Sequence, residues 1–333
     1  MLRFTTVRLV CVVLVLCLFT AFAVCPAVEP GKPIRVGLIG LDTSHAIAFT
    51  QIINAPKNTG DLADLRVVAG YPGGSPDLPD SWNRVKEYTE QLRKMGIEIV
   101  PSIDELLKKV DAVMIESVDG RPHLAQAKPV IAARKPLFID KPMAASLADV
   151  LEIFRLAKEA NVPCFSASSL RWGAGCQAAR SGKTFGEVRK CRAWSPMSIE
   201  PHHPDFFWYG VHGVETLFTI MGPGCKSVTR VGRDKAVGVW AGGREGTFEA
   251  RKDYGAEVVG TKSSGSAGKY DGYKPLVVEV AKFFKTGKSP VAAEETIEIF
   301  AFMEAADESK RQGGAPVSIE SVMEKARQAA AKP

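Results

Sequence analysis

The sequence predicts an α/β protein in two parts: an N-terminal doubly wound parallel sheet, then an α+β domain built on an open antiparallel sheet. Three observations carry this. From Pro33 to about Arg171, short apolar runs alternate with helix-length amphipathic segments, as strands buried on both faces and their crossover helices do. From Gly186 onward the runs become short and are separated by turn residues, which suits antiparallel pairing. Finally, 333 residues with 46% hydrophobic and 24% charged content can bury a sizeable core, and favour two domains over one. The expected boundaries are a leader at residues 1–27, a first domain at 33–170 and a second at 171–333.

The leader is read from Arg3 and Arg8 followed by the apolar run Leu9 to Val24, with Ala21-Phe22-Ala23 offering small residues at the spacing signal peptidase needs. Without a twin-arginine pair, the general secretory route is expected, placing the protein in the periplasm or outside the cell, with no membrane contact after cleavage. The rival reading is an uncleaved anchor, for which 16 apolar residues fall short of the roughly 20 that span a bilayer. The formal net charge of +6 drops to about +4 without Arg3 and Arg8, too mild and scattered for a nucleic-acid partner. Cys11, Cys17 and Cys25 lie in or beside the leader. Cys164, Cys176, Cys191 and Cys225 have irregular spacing, which indicates neither a zinc site nor a disulfide framework and leaves any pairing open.

Pro33 to Gly40 reads as the first buried strand. A dinucleotide fingerprint would continue Gly-x-Gly-x-x-Gly, so that the backbone can approach a diphosphate. The chain instead has Gly40-Leu41-Asp42-Thr43-Ser44-His45. Asp42 would repel a diphosphate, while Asp42, Thr43 or Ser44 can cap the following helix and leave its amides free for an anion. His45 either packs or points into the crevice as an acid, base or ligand. The second strand, Leu65 to Gly70, lacks the acidic tip residue that would take ribose hydroxyls, and Tyr71 could stack on a ring.

Asp80 to Met95 has helical spacing, Glu98 to Val100 makes a short strand, and Ser102 to Glu105 opens a helix as a capping box. Ala112 to Ile115 is a buried strand that places Glu116 and Ser117 at the crevice, where Glu116 is either a partner of Lys141 or simply exposed. A helix from Ala125 to Arg134 leads to the strand Pro136 to Ile139, which delivers Lys141. Pro142 holds that lysine extended. Leu147 to Ala160 is the next helix, and Pro163 to Ser169 the last strand of the sheet. In the second domain, strands are expected at Glu187 to Trp194, Ser227 to Val231, Ala236 to Trp240 and Thr247 to Ala250. A loop is expected from Gly260 to Gly268, and helices at Pro275 to Lys285 and Glu294 to Gln312.

Asp140-Lys141-Pro142 resembles the Glu-Lys-Pro signature of the Gfo/Idh/MocA oxidoreductases, the sugar and polyol dehydrogenases that include glucose-fructose oxidoreductase and inositol dehydrogenase. Val110 to Ile115, the helix from Leu147 and the strand ending in Arg171 resemble its flanks. Gly210-Val211-His212-Gly213-Val214-Glu215 is similar to the family's Gly-x-His-x-x-Asp segment. The resemblance implies a Rossmann-like first domain, NAD or NADP as cofactor, a carbohydrate or polyol substrate, and self-association through the second sheet. It implies cofactor contacts from Gly37, Gly40, Asp42, Thr43, Ser44, His45, Tyr71, Ser117 and Asp140. Lys141 and His212 are the expected catalytic pair. The family's aspartate four residues before the histidine is replaced by Trp208, so Asp205 is expected to assist from one turn away. Arg171, Trp172, Trp208, Tyr209 and Glu116 are the expected substrate contacts.

In that chemistry imidazole removes the hydroxyl proton while the lysine stabilises charge on the same oxygen. Two other readings remain open. One is convergence of His203, Asp205, His212 and Glu215 on a divalent metal for lyase or hydrolase chemistry, although no tight ligand spacing supports it and no metal is expected. The other is a cofactor-free carbohydrate-binding protein on the same scaffold.

Overall fold

The computed structural model describes residues 32–331; the leader lies outside the described residues. The first domain alternates strand and helix: β1 (Ile34–Ile39), α1 (Ser44–Ile53), β2 (Leu65–Tyr71), α2 (Pro79–Lys94), β3 (Glu98–Ile99), α3 (Ile103–Leu107), β4 (Ala112–Ile115), α4 (His123–Ala132), β5 (Leu137–Ile139), α5 (Leu147–Glu159) and β6 (Cys164–Ser166). All six strands are parallel, in the order β3-β2-β1-β4-β5-β6. That order reverses direction between β1 and β4, which opens a crevice beyond their carboxyl ends. Every residue of β4 and β5 is buried, as strands covered on both faces require. Caps fix where the helices begin: Thr43 accepts from the His45 amide, Ser102 from Glu105 and Ser146 from Asp149.

A 3-10 turn (Ser169–Trp172) and α6 (Ala174–Arg180) lead into β7 (Val188–Ser195), α7 (Val211–Met221), β8 (Cys225–Val231), β9 (Lys235–Trp240), β10 (Glu245–Ala250), β11 (Gly255–Gly260) and β12 (Ser264–Ala267). Then come α8 (Lys274–Thr286), α9 (Ala293–Arg311), β13 (Val317–Ser318) and α10 (Ile319–Ala330). The second sheet runs β12-β11-β7-β10-β9-β8-β13. It departs from the purely antiparallel expectation at one place, where β7 and β10 pair in parallel. The cause is α7, which carries the chain from β7 over to β8; the β8-β9-β10 meander then refills the gap and meets β7 running the same way. β12 falls inside the stretch expected to be a loop. It is a polar, mostly exposed edge strand held by backbone pairing to β11, so no apolar alternation announces it.

Two packing relationships position the site. All eleven residues of α7 are buried, so its first turn is rigidly held against the second sheet. Helix α8 returns to the first domain, where Leu276, Val277, Val280 and Phe283 share a core with Leu38, Phe49 and Phe165. The four described cysteines are free thiols, and burial pushes Cys164 and Cys225 up to about 12 and Cys176 to about 11. Among the described residues no helix is long and apolar enough to cross a membrane.

Candidate active site

The first turn of α7 faces the carboxyl ends of β1, β4 and β5 across a cavity of about 290 Å³. Lys141 and His212 both line it. Lys141 follows the buried strand β5, and its Nζ stands 5.4 Å from the centroid of the Tyr209 ring, a cation over an aromatic face. The His212 ring lies 5.0 Å from that same ring. Burial, then the Lys141 charge, hold the His212 imidazole well below the ordinary histidine range, so it is neutral near pH 7 and able to accept a proton. Ser168, just after β6, places Oγ 2.7 Å from His212 Nδ1. Asp205 does not assist: its carboxylate accepts from Arg230 Nη2 at 3.0 Å and Lys310 Nζ at 2.7 Å.

The loop after β1 resolves the altered fingerprint. Gly40 has φ +86°, and a Cβ there would lie 2.2 Å from Ser117 Oγ, so only glycine fits between the β1 and β4 turns. Asp42 turns inward, fully buried, and accepts from Ser81 Oγ at 2.5 Å and from the Val118 amide at 2.9 Å. It ties its own loop to the first turn of α2 and to the turn after β4, and keeps its carboxyl out of the cavity, which Thr43 and Ser44 line instead, with Arg84 of α2 beside them. Burial, only partly offset by those hydrogen bonds, pushes the Asp42 carboxyl up.

His45 Nδ1 lies 2.6 Å from Asp140 Oδ2, joining the fingerprint loop to the end of β5. Burial works against the charged Asp140, but the His45 imidazole holds it below the usual carboxylate value. Glu116 is 0% exposed, is not at the surface, and neither of its carboxylate oxygens has a hydrogen-bond partner. Burial, reinforced by Asp140, raises it well above the ordinary glutamate value despite Lys141.

Other expected contacts lie elsewhere. Gly37 packs under Leu106 and Val110, a strand-to-helix contact. Tyr71 offers its carbonyl to the Gly40 amide, and Ser117 bonds to Gln126; neither lines the cavity. Arg171 is buried between Glu215 and Glu295, which spend its charge inside the second domain. Trp172 packs beside the α8 core. Trp208 and Tyr209 do line the cavity. The proposed metal set does not converge, since His203 pairs with Asp119 and Glu200, Asp205 with Arg230, and Glu215 with Arg171. The sequence reading missed Ser168 and the wall made by Tyr254, Tyr270 and Tyr273. Tyr254 Oη donates to Tyr209 Oη at 3.3 Å, and the Tyr273 ring meets His45 edge-on at 4.7 Å.

Residues 34–168 match the model of GFO_IDH_MocA, an oxidoreductase family with an NAD-binding Rossmann fold. That match spans the first domain of the chain. No curated protein matches it. Among solved structures, a probable dehydrogenase from Thermotoga maritima is similar at 19% identity and TM-score 0.70, covering 87% of this chain and 100% of its own. Scyllo-inositol dehydrogenase from Lactobacillus casei, solved with NAD(H) and scyllo-inositol, is similar at 14% identity and TM-score 0.68, covering 87% and 100%. These likenesses show a shared fold over both sheets.

The first domain keeps part of what an NAD-binding Rossmann fold asks of this end of the sheet. Helix α1 presents its N-terminus to the cavity with Thr43 and Ser44, and Arg84 adds a guanidinium suited to phosphate. Asp42, the main objection to a diphosphate here, is turned away.

Proposed function

We propose that the protein oxidises a hydroxyl of a sugar or cyclitol, using a tightly held NAD or NADP, after export through its leader to the periplasm or cell exterior. The observation that carries this reading is the shared cavity in which the Lys141 charge faces a neutral His212. When bound, the dinucleotide supplies the hydride acceptor. The residues supply the rest. His212 Nε2 takes the hydroxyl proton, which requires Nδ1–H to donate to Ser168 Oγ. Lys141 donates a hydrogen bond to the same oxygen and stabilises its developing negative charge. Trp208 and Tyr209 offer faces for the apolar side of a ring, as sugar sites do.

Outside the cytoplasm no free cofactor pool can be relied on, so retention of the dinucleotide belongs to the same proposal. Self-association through the outer face of the second sheet is a further part of it. That face carries Arg192 bonded to Glu257 and Arg251 stacked on Trp194. The test is an absorbance and fluorescence scan of purified protein for bound nicotinamide, followed by a panel of cyclitols and sugars. Bound nicotinamide that is reduced by one of them supports the proposal. Absence of bound cofactor, with no heat or quenching on titration, leaves the binding-protein reading instead.

A further inference from the structure

We infer that His45, Glu116 and Asp140 form a binding site for one divalent transition-metal cation, beneath the wall of the cavity. The three come from the ends of three neighbouring parallel strands: β1 through the first turn of α1, β4, and β5. Their ligand atoms all lie within 4.8 Å of one another, and all three residues are buried. What points to a ligand is the state of the oxygens. Both Glu116 oxygens and Asp140 Oδ1 are buried without any hydrogen-bond partner. The fourth, Asp140 Oδ2, meets His45 Nδ1 at 2.6 Å. Buried carboxylates left unpaired are costly, and folded proteins pair them or give them to a metal.

Lys141 is the nearest alternative cation. Its charge acts on Glu116 and Asp140, yet its ammonium makes no hydrogen bond to the unpartnered oxygens, being directed to the Tyr209 face. A cation in this position would draw one nitrogen and two carboxylate oxygens, now within 4.8 Å of one another, to about 2.0–2.2 Å. The mixed N and O donors suit zinc or manganese better than magnesium or calcium, which prefer oxygen throughout. His45 lines the cavity, so an open coordination position would face the ligand space. This set shares no residue with the His203, Asp205, His212 and Glu215 group.

The experiment is direct binding, with no dinucleotide or turnover in the readout. Full-length mature protein is stripped with chelator and titrated with Zn²⁺ and Mn²⁺ by calorimetry, with bound metal counted by elemental analysis after dialysis. One equivalent is expected, along with a higher Tm and, for Mn²⁺, loss of the free-ion electron-spin signal. Glu116→Gln and Asp140→Asn are each expected to weaken binding by more than the ~10–100-fold that loss of a supporting hydrogen bond costs. Circular dichroism of both variants checks that they fold. Failure of wild-type protein to bind either ion overturns the inference, and so does binding that survives in both folded variants. A rise in Tm for Glu116→Gln that metal does not affect also overturns it, since Glu116 would then be only an uncomfortable buried acid. The dinucleotide proposal stands or falls separately, on the nicotinamide scan.

Discussion

Ser168 Oγ lies 2.7 Å from Nδ1 of His212, so a hydroxyl from the end of the first domain orients the imidazole on the first turn of the second domain's buried helix. Ser168 also accepts from the Leu170 amide at 3.2 Å, which fixes the hydroxyl itself. Ser168→Ala should cost about 1 kcal/mol of stability. It should lower kcat by about 10–100-fold, a part of the usual contribution of a positioned base. Steady-state kinetics beside urea unfolding check it; unchanged kcat with lowered stability would make Ser168 purely structural.

The imidazole of His212 should titrate below the ordinary value of about 6.5. Burial lowers it first and the Lys141 charge adds to the effect. Lys141→Met should therefore move the titration upward, readable by NMR even if the variant is inactive. The sign for stability follows. Because the folded value is lower, the unfolded chain binds the proton first as pH falls, so His212's contribution is complete above about pH 6.5 and declines below it. Titration at or above 6.5 in the wild type would contradict the burial argument.

Arg171 was expected at the substrate; the structure buries it between Glu215 and Glu295. Arg171→Met leaves buried Glu215 without its cation, while Glu295 keeps Arg180, and should cost about 3–5 kcal/mol. KM per folded molecule should stay near wild type. A large rise in KM at unchanged Tm would restore Arg171 to the substrate site.

Asp42 spends its carboxyl on Ser81 and Val118. Asp42→Gly, which regains the fingerprint glycine, should destabilise the domain by about 2–3 kcal/mol, since the buried Ser81 hydroxyl and the part-buried Val118 amide lose their acceptor. Dinucleotide affinity should change by less than about tenfold, or roughly 1.4 kcal/mol. A much larger gain in affinity would mean that Asp42 guards the cofactor site after all.

Most of the first sheet was legible because its strands are continuous apolar runs between capped helices; Ala112 to Ile115 is the same four residues in sequence and structure. Lys141 and His212 were legible as residue types in a motif. Their surroundings were not, because partners are set by the fold and not by spacing: Ser81 is 39 positions from Asp42, and Asp140 is 95 from His45. The parallel β7–β10 pair depends on a crossover that no periodicity records. Tyr254, Tyr270 and Tyr273 sit in polar connecting segments that carry no local signal for a cavity wall.

The most direct test of the account is the appearance of reduced nicotinamide when wild-type protein and its Lys141→Met variant are mixed with a panel of cyclitols and sugars. Wild type should give reduced nicotinamide with at least one polyol, and Lys141→Met should lose turnover at near wild-type Tm. Equal turnover by the two proteins, or none by wild type holding bound dinucleotide across the whole panel, would contradict it.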